Sequence, residues 1–102
     1  MKILAKKSLG QHFLNSRHVL EQIISAANLQ KGEYVLEIGP GTGILTRELL
    51  NAGAQVTAIE KDSRVITTLE QDFFTEIKNG QLRLVEGDIL NYGNTSKTPD
   101  LS

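Results

Sequence analysis

The chain has 102 residues, enough for one small domain, and its 39% hydrophobic and 23% charged content excludes a disordered polymer. It contains no cysteine, which excludes a disulfide framework and a thiolate metal site and is compatible with a reducing cytoplasm. No apolar run approaches the roughly 20 residues that span a bilayer, and Lys6 and Lys7 follow Met1 too closely for a signal-peptide core, so a cytoplasmic chain with no membrane contact is expected.

The net charge of −1 points to no partner, but its distribution is uneven. Residues 1–18 carry Lys2, Lys6, Lys7 and Arg17 with no acid, and the remainder carries seven cations against twelve acids. A basic amino-terminal arm on an acidic body can meet phosphate, or can simply be a solvated terminus.

In chain order, residues 1–14 show no clear period and read as a basic arm. Asn15 or Ser16 caps a helix that carries Val19, Leu20, Ile23, Ile24 and Ala27 at helical spacing, with Lys31 and Gly32 to end it. Tyr34 to Ile38 is the first strand, Gly39 to Gly43 a glycine-rich turn, and Ile44 to Leu50 a helix that Gly53 stops. Gln55 to Ile59 is the second strand. Ser63 is suited to cap a third helix bearing Val65, Ile66, Leu69 and Phe73. Asn79-Gly80 is a turn, and Leu82 to Val85 the third strand. Strands alternating with helices predict an α/β fold with a parallel sheet. Residues 15–92 form the folded part, and residues 93–102 are a polar tail without period. Three strands are half of a doubly wound sheet, so a truncated parallel sheet is expected.

The strongest local signal is Glu37-Ile38-Gly39-Pro40-Gly41-Thr42-Gly43, where the first strand turns into a helix. Glycine permits positive φ and lets a ligand approach the backbone, and the helix start offers unpaired N–H groups. The dinucleotide fingerprint Gly-x-Gly-x-x-Gly is not met, because Ile44 stands where its third glycine belongs. Glu60 ends the second strand, 21 residues after Gly39. An acid there either accepts hydrogen bonds from ribose hydroxyls or is an exposed strand-end acid. Asp88, after the third strand, is suited to accept from an adenine amino group, with Ile89 packed on the base, or to cap a helix; both can hold together. His12 and His18 are the only histidines and have no ligand spacing, so no metal site is expected.

Lys6-Lys7-Ser8-Leu9-Gly10-Gln11-His12-Phe13-Leu14-Asn15, together with Val35 to Gly43 and then Leu45-Thr46, resembles the ribosomal RNA small-subunit adenine dimethyltransferase family. The resemblance covers residues 6 to about 92. It implies a Rossmann-like methyltransferase fold and S-adenosyl-L-methionine as cofactor. It implies cofactor contacts at His12, Leu14, Gly39, Gly41, Glu60 and Asp88, although position 12 is usually asparagine in the family. The implied reaction is dimethylation of the N6 of adenosines in small-subunit (16S) ribosomal RNA, with the small ribosomal subunit as partner. A related family, which methylates large-subunit RNA and confers macrolide resistance, shares the Gln-x-Phe-Leu arm more loosely.

This sequence departs from the family's pattern in one respect. The family's Asn-Leu-Pro-Tyr acceptor motif is absent, since the only prolines are Pro40 and Pro99. The carboxyl-terminal helical domain that the resemblance implies is not expected within these 102 residues. The expectation is therefore a cofactor-binding segment that does not transfer methyl groups alone. Two other readings are half of a nicotinamide dehydrogenase, against which the glycine spacing counts, and a non-catalytic RNA-associating module using the basic arm.

Overall fold

The computed structural model describes residues 1–5 and 16–90. The run Tyr-Val-Leu-Glu-Ile is rich in β-branched and aromatic side chains and forms strand β2, Tyr34–Ile38. It pairs on one side with β3, Gln55–Glu60, which pairs in turn with β4, Leu82–Glu86. On the other side it pairs with a strand the sequence did not reveal, β1, Lys2–Ala5. All pairs are parallel, and the sheet order is β1-β2-β3-β4.

The expected three strands are thus four, and part of the expected arm is sheet. The cause is a long-range one. Ile3-Leu4-Ala5 is too short to signal a strand, but the edge of β2 supplies a ladder for it. Lys2 anchors it, donating through Nζ to the carbonyl oxygens of Ala27 and Asn28 and pairing with Glu33 at 3.3 Å. Those carbonyls belong to the carboxyl end of helix α1, Arg17–Ala27, where a cation is favourable.

Ser16 is the residue that caps α1, accepting from the Val19 N–H at 3.3 Å. The helix stops earlier than Lys31-Gly32, because Asn28 adopts the left-handed conformation (φ +48°) and donates to the Ser25 carbonyl. Helix α2, Ile44–Asn51, follows the glycine turn, and Gly53 closes it as expected, with φ +92°. Asp62, not Ser63, caps helix α3, Ser63–Asp72; its carboxylate accepts from the Arg64 N–H at 2.9 Å. The Arg64 guanidinium hydrogen-bonded to Asp62 holds that carboxyl below the usual range. Phe73 does not continue α3. It breaks the helix (φ −116°, ψ +27°), and a short helix α4 runs Phe74–Lys78. The break leaves Phe73 buried, with the Arg47 guanidinium 4.4 Å above its ring and hydrogen-bonded to Glu76.

Strand side chains alternate between faces. Val35, Val56, Ala58 and Leu82 share one core with Leu20 of α1, Leu45, Leu49 and Leu50 of α2, and Leu69 with Phe73. Leu4 and Leu84 pack beside them. The described helices α1, α2 and α3 thus contribute to a core on the same face, as right-handed crossovers between strands taken in consecutive order require. Complete burial of a side chain such as Leu49 contributes about 2 kcal/mol.

Candidate ligand-binding site

In a parallel sheet every strand ends on the same side. Register places Ala5, Ile38, Ile59 and Val85 in one row, with Glu60 opposite Glu86 just beyond. The loops that leave this row carry the residues singled out in the sequence.

The loop after β2 turns through three glycines with positive φ: Gly39 (+72°), Gly41 (+59°) and Gly43 (+87°). The Gly39 N–H donates to the Ile59 carbonyl at 2.9 Å, which ties the loop to β3, and the Gly43 N–H donates to the Pro40 carbonyl at 3.0 Å. The glycines serve different ends. A Cβ built on Gly39 meets nothing within 4 Å and stands in open space. A Cβ on Gly43 lies 2.6 Å from a ring carbon of Phe73. Gly43 is therefore a packing glycine, and Gly39 leaves room on the open side of the loop.

At the end of β3, Glu60 is largely buried, at 9% exposure, and its Oε2 accepts from the Asp62 N–H at 3.0 Å. The Glu60 carbonyl accepts from the Gly87 N–H at 2.9 Å, which brings the exit of β4 alongside. Asp88 follows, and its Oδ1 accepts from the Leu90 N–H at 3.0 Å. Asp88 is thus a turn-capping residue, which leaves its second oxygen for another donor.

These loops enclose a cavity of about 390 Å³, within the range of small-molecule sites. The glycine loop contributes Gly39 and Gly41 to its wall, β3 and its exit contribute Ile59, Glu60 and Lys61, and the β4 exit contributes Gly87 to Leu90. Ile38 and Ala5 complete it. Four of the six expected site residues, Gly39, Gly41, Glu60 and Asp88, therefore share one cavity. His12 and Leu14 lie outside the described residues. Ala5, Lys61 and Leu90 line the cavity without having been singled out. Ala5 was hidden with its strand, and Lys61 was detectable as the immediate neighbour of Glu60.

The wall combines two carboxylates with the apolar side chains of Ile38, Ile59 and Ile89. It offers hydrogen-bond acceptors at Glu60 and Asp88 beside apolar side chains. Among the described residues no three acids or histidines group as metal ligands, and no helix is long and apolar enough to cross a membrane.

Behind the loop, Glu37 of β2 is only 1% exposed, and Thr46 of α2 is fully buried. The Thr46 hydroxyl donates to the Glu37 carboxylate. The sequence shows Glu37 as the acid that opens the glycine motif but not its burial, and a buried acid requires a partner.

Residues 3–99 match the family model described as ribosomal RNA adenine dimethylase. The chain is 49% identical over 87 residues to the ribosomal RNA small subunit methyltransferase A of Caulobacter vibrioides, covering 85% of this chain and 33% of that protein. Among solved structures, it resembles a dimethyladenosine transferase from Plasmodium falciparum at 40% identity and a TM-score of 0.62, covering 72% of this chain and 26% of that one. It also resembles the glycopeptide N-methyltransferase MtfA in complex with S-adenosyl-L-homocysteine, at 28% identity and a TM-score of 0.55, over 68% of this chain and 28% of that one. The chain spans about a third of the length of the Caulobacter relative.

Proposed function

The chain belongs to the ribosomal RNA adenine dimethylase family, and from that premise we propose that its cavity binds S-adenosyl-L-methionine. One observation carries the reading: Gly39, Glu60 and Asp88, set far apart in sequence, converge on one cavity at the carboxyl ends of three adjacent parallel strands. This is the edge at which open α/β sheets bind nucleotide-like ligands. The residues fit the cofactor. The space beyond Gly39 admits a ligand against the backbone. Glu60 would accept from the ribose hydroxyls, and the Asp88 oxygen not held by Leu90 would accept from the adenine amino group. Ile89 would pack on the base. His12 and Leu14 of the arm are proposed as further contacts.

When bound, the cofactor supplies a methyl group on a positively charged sulfur. The part played by this chain is to hold and orient. Glu60 and Asp88 outnumber the one lysine of the wall, Lys61, which leaves a net negative lining that favours a cationic ligand, and the backbone of the glycine loop fixes where the ligand lies. The reaction we propose for the whole protein of which this chain matches about a third is N6-dimethylation of adenosines in small-subunit ribosomal RNA, with the small ribosomal subunit as partner and a cytoplasmic location. An amino nitrogen conjugated with its ring is a weak nucleophile, so this chemistry depends on positioning more than on acid–base help.

Calorimetric titration of the Glu60→Ala variant tests the reading. Loss of charged hydrogen bonds to ribose lowers affinity for S-adenosyl-L-methionine by about tenfold to a hundredfold, while a cooperative thermal transition shows that the fold is kept. A folded variant with unchanged affinity contradicts the ribose role.

A further inference from the structure

Glu37 and Thr46 are buried together on the side of the glycine loop away from solvent, and neither lines the cavity. Glu37 is the second-last residue of β2, and Thr46 the third residue of α2. The hydrogen bond between them therefore spans the whole loop, from the strand that enters it to the first turn of the helix that leaves it. A loop with three positive-φ glycines has more backbone freedom to lose on ordering than one built of residues with side chains. The strand end is fixed by its ladder with β3. At the helix end Leu45 packs in the core and Arg47 bonds Glu76, but the N-cap, Gly43, has no side chain to tie the first turn back to the loop.

We propose that Glu37 and Thr46 are a positioning pair that holds the glycine loop in its cofactor-receiving shape. The proposal rests on the reading that the cavity binds S-adenosyl-L-methionine. The carboxylate at the start of α2 is also favourably placed toward the amino end of that helix. Removing the hydroxyl frees the first turn of α2, and the loop then samples other shapes before any ligand arrives. A purely structural role for the pair would lower stability without changing the loop at temperatures where the protein is folded.

Two readouts on the 102-residue chain separate these cases: amide hydrogen exchange of Gly41, Thr42 and Gly43 without ligand, and S-adenosyl-L-methionine affinity by calorimetry. Thr46→Val keeps the volume and loses the hydroxyl. It speeds loop exchange and weakens affinity, each by about tenfold, with β3 amides unchanged. Thr46→Ser keeps the donor and stays within about twofold of the parent in both. A folded Thr46→Val with parental loop exchange overturns the proposal, as does a Thr46→Ser that loosens equally. Should Thr46→Val not fold, the parent decides: loop amides exchanging at the rate of an open chain overturn the proposal, and protected ones support it. A parent that ignores the cofactor while Thr46→Val still loosens the loop refutes the cofactor reading and leaves the positioning pair standing.

Discussion

At the scale of single residues, the glycine loop shows that one motif serves two demands. Gly39 leaves space for a ligand, and Gly43 leaves space for Phe73. The second demand gives a prediction independent of any ligand. In Gly43→Ala, an L residue must adopt φ near +87° with its Cβ 2.6 Å from the Phe73 ring. The combined strain and overpacking costs roughly 2–4 kcal/mol. Urea denaturation of the variant measures it, and a loss below about 1 kcal/mol would mean that Phe73 moves aside freely. The candidate site was legible where its chemistry is local: Gly39, Gly41, Glu60 and Asp88 each follow a strand, and parallel strands end together. It was not legible where the reason lies far along the chain. Gly43 reads as one more loop glycine until Phe73, thirty positions on, is seen against it. Ala5 was hidden with its strand, and Glu37 carries no sequence sign that Thr46 is its donor.

At the scale of elements, the helices followed their apolar spacing, and the misplacements lie at their ends. Ser63 reads as a cap because serine is a good one, but Asp62 precedes it with a stronger acceptor and takes the role. Phe73 fits the helical period of α3, yet its ring must turn under Arg47 and against Gly43, so packing overrides propensity. Asn28 stops α1 four residues before the glycine expected to do so, because asparagine also tolerates the left-handed conformation. The Ser16 cap is the end most open to test. Ser16→Ala loses the bond to the Val19 N–H and costs about 1 kcal/mol. A shift in the denaturation midpoint of that size, with the slope unchanged, supports the cap, and no shift would remove it from the account.

At the scale of the whole molecule, alternating strands and helices announced a parallel sheet, and the sheet is parallel. What the alternation did not carry was β1. That strand exists through pairing with residues more than thirty positions away and through Lys2 bonding the end of α1. Its arrival gives the sheet the order β1-β2-β3-β4 and places Ala5 in the cavity wall. The cavity is thus built from the exits of every strand but depends for its polar groups on β3 and β4. The strand-end cavity is proposed to receive S-adenosyl-L-methionine. The most direct test is a two-dimensional amide NMR titration of the chain with S-adenosyl-L-methionine, with NAD in parallel. The amides of Gly39, Gly41, Lys61 and Asp88 to Leu90 are expected to shift with S-adenosyl-L-methionine and not with NAD, while those of α4 stay in place. A dispersed spectrum that S-adenosyl-L-methionine leaves unchanged, or that NAD shifts in the same way, would contradict the proposal.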